Sequence, residues 1–185
     1  MEGSWWARVR RRLRPTVDSA IDDLRGGNEH RREHASIWVW SRGHGHFGGE
    51  ERARLIEALT PLATDPHHPV TRAEAVAALV ALDANGAVEL ALTALRDPRA
   101  EVRRIVAGQL GPTGDWRVVD ALVELLDDAD GYVREAATLG LHSQGDPAAL
   151  EPLRAMWRRE RKDRAAKAGA KRAIRALEKK SAAAR

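Results

Sequence analysis

Apolar side chains along this chain fall in helical groups rather than in the alternation of strands. Val88–Leu95 (VELALTAL), Val119–Leu126 (VDALVELL) and Leu150–Trp157 (LEPLRAMW) each place apolar residues at i, i+3, i+4 and i+7, the spacing of one helix face. Ile56–Ala63 (IEALTPLA) follows the same template, with one residue added in the turn behind it. A second set of segments reads Thr71–Leu79 (TRAEAVAAL), Val102–Leu110 (VRRIVAGQL) and Val133–Leu141 (VREAATLGL), with core positions first, fifth and ninth. The two sets alternate, so the pattern predicts helix pairs. Turns with Asp and often Pro (Asp65-Pro66, Asp97-Pro98, Asp127-Asp128) separate the helices of a pair and suit termination of one and N-capping of the next.

The pairs return with a period of 31 residues: Arg72, Arg103 and Arg134; Leu79, Leu110 and Leu141; Gly114-Asp115 and Gly145-Asp146. A fixed period of this size marks stacked units, because one pair alone cannot bury its apolar face. Ala77, Gly108 and Gly140 are predicted to let neighbouring backbones approach, which would offset the roughly 1 kcal/mol that glycine costs inside a helix. The ends depart from the repeat. Residues 1–14, 15–25 and 29–41 read as helices broken by Pro15 and Gly26-Gly27, and a loop at Gly43–Gly49 (GHGHFGG) follows. The tail from 158 to about 180 reads as one or two helices with Ala168, Ile174 and Leu177 as its apolar stripe. The expected organisation is an N-terminal helical cap and Gly/His-rich loop at 1–49, a repeat array at 50–157, and a basic C-terminal helix and tail at 158–185. The fold class is all-α: a solenoid of about ten helices with capping helices at both ends.

Composition agrees. Apolar content is 43% but aromatic content only 4%, so the core must be Ala, Leu and Val, a mix that suits closely packed helices. The absence of cysteine excludes disulfides, thiolate nucleophiles and Cys-ligated zinc. Residues 5–14 put charge inside any would-be signal segment, and no apolar run reaches membrane-spanning length, so a cytoplasmic location is expected. Charge is unevenly distributed: residues 35–152 carry 10 basic and 18 acidic side chains, whereas residues 153–185 carry 13 and 3, including all five lysines. A strongly basic end suggests a polyanion, an acidic protein patch or a membrane surface. A solvated terminal helix explains the same residues.

The spacing D-P-x-x-x-V-R-x-x-(A/V)-x-x-x-L at 97–110, with GDPAALEPL at 145–153, closely resembles HEAT-like repeats, above all the short form found in phycobiliprotein lyases and many bacterial proteins. The resemblance covers about residues 50–157. It implies a right-handed solenoid with second helices lining the inner surface. It also implies that Arg72, Arg103 and Arg134 form a structural ladder with Asp65, Asp97 and Asp128. It implies no particular activity, because such repeats serve many unrelated tasks.

Several constellations could carry chemistry. His30–His34 (HRREH) matches the H-x-x-E-H pattern of inverted zinc peptidases, but adjacent arginines and the lack of a third ligand favour surface histidines. His44 and His46 could join them in a four-His metal site, although a flexible connector explains them as well. Trp116 and Asp120 resemble the Trp/Asp pair of HEAT-like DNA glycosylases, yet they fall on a first helix and Asp120 aligns with the polar Glu89 and Glu151. Trp5 and Trp6, followed by Arg8, Arg10, Arg11, Arg12 and Arg14, fit either a surface anchor or a capping helix. Trp38 and Trp40 are two residues apart and cannot share one helix face, so one is expected to be exposed as a contact surface. No Ser-His-Asp arrangement, phosphate loop or dinucleotide fingerprint occurs in a credible context.

The reading that follows is a non-enzymatic scaffold, without cofactor, catalytic residue or metal, that binds a protein partner on its concave face. Second-helix positions that vary between repeats are the expected recognition sites: Ala73, Arg104 and Glu135 align, as do Ala78, Gln109 and Gly140, and Arg104, Gln109 and Glu135 are the candidate contacts. The alternative is nucleic-acid binding through Arg158, Arg159, Lys162, Lys167, Lys171 and Arg172. A glycosylase-like enzyme is third. A membrane surface is not favoured, and no small-molecule substrate is evident.

Overall fold

The computed structural model describes residues 15–83, 86–160 and 163–183. Its ten helices are α1 (Val17–Gly26), α2 (Glu29–Trp40), α3 (Gly49–Ala63), α4 (Pro69–Ala81), α5 (Ala87–Ala94), α6 (Ala100–Gln109), α7 (Trp116–Glu124), α8 (Gly131–Gln144), α9 (Leu150–Arg159) and α10 (Arg164–Ala183). There is no strand among the described residues. The array is an all-α solenoid of antiparallel pairs. The expected helix at 1–14, with its Trp-Arg cluster, lies outside the described residues.

Two layers result. The second helices pack in series, α2 on α4, α4 on α6, α6 on α8 and α8 on α10, far more intimately than the first helices pack on one another. Unequal approach bends the stack, with the second helices on the inner, concave side. Small side chains permit it. A Cβ on Gly140 of α8 would come within 2.5 Å of the Ala107 carbonyl oxygen of α6 and 2.9 Å of a Leu122 methyl. Gly108 serves no such purpose, since its Cβ would sit 3.6 Å from the nearest atom, an ordinary contact. The expected ninth-step core holds: Val102, Val106 and Leu110, like Val133, Ala137 and Leu141, are buried.

The same scheme continues past residues 50–157 at both ends. The α1–α2 pair lies against α3 and α4 as each later pair lies against the next, and α10 is the inner helix that partners α9. The buried stripe of α10 is Ala166, Ala170, Ala173 and Leu177; Ala168, expected there, is exposed and Ile174 is half-buried. Trp38 and Trp40 are both half-buried, so neither is the free aromatic expected from their spacing. Trp38 stacks near Phe47, and the Trp40 Nε1–H donates to the Gln109 carbonyl oxygen at 2.7 Å.

Along one edge runs a polar ladder. The turn aspartates do not cap the second helices; each closes its own turn, Asp65 accepting from the His67 N–H, Asp97 from the Arg99 N–H and Asp128 from the Asp130 N–H. Such Asx turns fix the chain reversal between the paired helices. The fourth residue of α4, α6 and α8 then reaches forward one unit: Arg72 to Asp97 at 2.6 Å, Arg103 to Asp128 at 2.8 and 3.0 Å, and Arg134 to Asp163 at 3.1 Å. The same arginines donate back to the carbonyls of residues 65, 97 and 128. The ladder between repeats that the resemblance implies is thus present. Asp163 is a rung that spacing did not reveal, and the Asp65 carboxylate bonds His68 Nδ1 at 2.8 Å rather than an arginine of the preceding unit.

Candidate functional site

Three consecutive inner helices, α4, α6 and α8, enclose a shallow groove of about 470 Å³. It brings together all three predicted contacts: Arg104, Gln109 and Glu135. Arg104 is exposed, while Gln109 and Glu135 are half-buried. The positions they were aligned with behave differently. Ala73, Ala78 and Gly140 are buried in the packing of their helices, so those two columns are not uniformly surface columns.

The groove's apolar wall is Tyr132, 72% exposed, and Leu139, 40% exposed, one helical face of α8 left uncovered. Its floor holds a residue that sequence reasoning missed. Glu74 of α4 is only 6% exposed and accepts from Gln109 Nε2 at 2.8 Å. Burial pushes its carboxyl above the ordinary carboxylate value; the Gln109 hydrogen bond and the Arg104 charge oppose this, and Glu33 adds to it. The signal was available, because the period aligns Glu74 with Ile105 and Ala136, and an acid replaces apolar residues in one copy. Gln109 is held at both ends, through its amide to Glu74 and its backbone oxygen to Trp40.

Residues 88–178 match the family model for HEAT repeats. This chain carries HEAT repeats. The match runs from α5 into α10 and so includes the groove's α6 and α8 walls together with the terminal inner helix. No curated protein matches the sequence. HEAT repeats generally mediate protein interactions, and the family is typically a non-enzymatic scaffold.

Elsewhere on the HEAT array the remaining candidates separate. Trp116 and Asp120 are exposed on the outer helix α7, beside Glu89, Leu92, Arg96 and Glu124 on the convex side. An open surface with further acids around Asp120 does not enclose an extruded base. The His30 and His34 rings lie 4.0 Å apart on α2, whereas His46 packs edge-on against Phe47 in the following loop. No group of three or more His, Asp or Glu that could hold a metal occurs among the described residues, and the side chain of His44 lies outside them.

The basic residues of the C-terminal segment divide into two groups. Arg158 faces Glu151 at 3.9 Å, Arg159 pairs with Asp127, and Lys167 donates to the Glu160 carbonyl at 3.1 Å beneath the Trp157 ring. Arg159 ties α9 to the turn at Asp127, Lys167 ties α10 to the end of α9, and Arg158 stays on the exposed face of α9. Lys171 and Arg172 are exposed and make no ion pair among the described residues; Arg164, Arg175 and Lys179 extend them into one stripe on the outer face of α10. Lys162 lies outside the described residues. No described helix is long and apolar enough to cross a membrane.

Proposed function

We propose that this HEAT-repeat protein is a non-enzymatic scaffold whose concave face receives a protein partner. The observation that carries the reading is the uncovered Tyr132–Leu139 face beside a groove built from three units. Exposed aromatic and aliphatic side chains set on a rigid curved surface are what an interface core needs, because little ordering entropy is lost on the scaffold side. Affinity capture from the native host, comparing the intact chain with Tyr132→Asp and Leu139→Asp, tests it. Loss of the main partner in both variants supports the inner face; unchanged capture by both refutes it. Gln109 is a poor site for this test because its side chain also holds Glu74.

A second reading rests on the α10 stripe. Lys171, Arg172, Arg175 and Lys179 suit the phosphate backbone of a nucleic acid, with affinity that falls steeply with salt and little sequence preference. If all four contact phosphates, the slope of log K against log salt is about −3.6. Deleting residues 158–185 would strip packing from α8 as well as charge, so the informative variant is Lys171→Glu/Arg172→Glu/Arg175→Glu. Duplex binding at low salt that survives this variant, or no binding by the intact chain, rejects the reading.

A further inference from the structure

We infer that the inner groove takes a basic segment of the partner, with an arginine side chain inserted over Glu74, its stem against Leu139 and its guanidinium on the face of Tyr132; this rests on the scaffold reading above. The argument begins from charge that the fold leaves unmatched. On the outer layer acids meet arginines: Glu89 with Arg117, Glu124 with Arg96, and Glu151 with Arg154. On the inner layer Glu33, Glu74, Glu101 and Glu135 form no ion pair among the described residues, and neither does Arg104, the one cation lining the groove. The excess is negative and local.

Glu74 turns an acidic patch into a specific site. Its Oε2 accepts from Gln109 Nε2, the side chain is almost entirely buried and lines the groove, and the Gln109 Oε1 beside it is buried and accepts from no described residue. A buried carboxyl beside an orphaned acceptor is destabilising unless a donor arrives. A bare cation does not fit, because the acids of the inner face are not gathered closely enough to hold a metal. The donor must therefore come on a chain. Arginine meets the three requirements together: an apolar stem for Leu139, a planar cation that stacks on the face of Tyr132, and several donors for Glu74 and Glu135. Lysine supplies charge and stem without the plane.

The test uses the full chain and three fluorescein-labelled peptides of one alanine-based host, carrying arginine, lysine or glutamate at every fourth position, read by fluorescence anisotropy. The arginine peptide is expected to bind and the glutamate peptide not. Glu74→Gln and Glu135→Gln should each weaken arginine-peptide binding by about tenfold, the loss of a charge-assisted hydrogen bond, while Glu124→Gln on the outer layer leaves it unchanged. Glu135 is half-buried, so its variant keeps the test valid if Glu74→Gln were to misfold. Equal binding of the glutamate peptide, or unchanged affinity in both inner variants, overturns the inference, as does agmatine binding as tightly as the peptide. The two readings fail separately. If the host partner is lost in Tyr132→Asp yet is not displaced by the arginine peptide, the arginine assignment falls and the scaffold stands; if Tyr132→Asp and Leu139→Asp both retain the partner, the scaffold reading falls.

Discussion

Replacing Arg103 by methionine removes one rung of the inter-unit ladder while keeping most of the side chain's bulk. The guanidinium donates from Nε and Nη2 to the two oxygens of Asp128 at 2.8 and 3.0 Å, and from Nη1 to the carbonyls of Asp97 and Pro98 at 2.8 and 3.0 Å. The arginine side chain is 17% exposed and its carboxylate partner 7%. Removing one member of a buried pair costs about 3–5 kcal/mol, since the other charge stays buried without a partner. Arg103 retains some contact with water, so the lower end applies: about 3 kcal/mol, or a fall in Tm of roughly 6–12 °C for a chain of this size. Asp128→Asn preserves the bond from the Asp130 N–H, and the double variant should cost about 1–3 kcal/mol less than the two single changes added together. Urea unfolding followed by far-UV circular dichroism supplies the cycle. The pH dependence has a definite sign. Burial pushes the Asp128 carboxyl up, but Arg103 and the Asp130 N–H outweigh it and hold it below the ordinary value of 3.8, so the rung's contribution is present above that pH and lost as pH falls below it. A single-variant cost under about 0.5 kcal/mol, or an additive cycle, would make the rung an ordinary surface pair and refute the reasoning.

Gly140→Ala and Gly108→Ala should move in opposite directions. The first drives a methyl against the Ala107 carbonyl and Leu122 and should cost about 1–3 kcal/mol. The second meets nothing closer than 3.6 Å and should gain up to about 1 kcal/mol of helix propensity, so urea midpoints in the reverse order would contradict the packing described. Glu74→Gln should raise Tm at pH 7. Burial raises the folded-state carboxyl above its ordinary 4.5, so the wild type is fully stable with respect to this group below pH 4.5 and loses that contribution as pH rises through the folded value. Scanning calorimetry should show the two proteins converging below pH 4.5, and a wild type at least as stable at pH 7 would refute the assigned cost.

The parts of this fold legible in the sequence are those that each unit must repeat. Apolar positions at 102, 106 and 110 recur because every unit seals the flank of the next, and Arg72, Arg103 and Arg134 recur because every junction needs its rung. Features that bridge units without recurring were not legible. Asp163 lies 29 residues after Arg134 where the earlier rungs span 25, since the chain between α9 and α10 differs in length, so no spacing marked it. The bond from Trp40 to Gln109 joins α2 to α6 across α4, and nothing periodic predicts a contact 69 residues apart. Ala168 was misplaced by one helical step because an alanine-rich helix has little hydrophobic contrast between its faces. On the inner face, variation between copies singled out Arg104, Gln109 and Glu135, which line one groove, but it did not reveal that α4 and α8 bury the matching alanines and glycine.

The Glu74 column gives the sharper criterion. Positions 74, 105 and 136 read Glu, Ile and Ala, and all three are buried, so a hydrophobic residue or alanine is structurally acceptable at this step of the helix in this same array. Variation at an exposed position needs no explanation, since most residues there are nearly neutral. A carboxyl at a buried position is different, because it opposes folding at neutral pH and its neighbouring copies display the cheaper solution. Natural chains break their own local rules mainly where function requires it. The same substitution, Glu74→Gln, is therefore expected to stabilise the protein and to weaken its hold on an arginine, a combination that a purely structural glutamate would not produce.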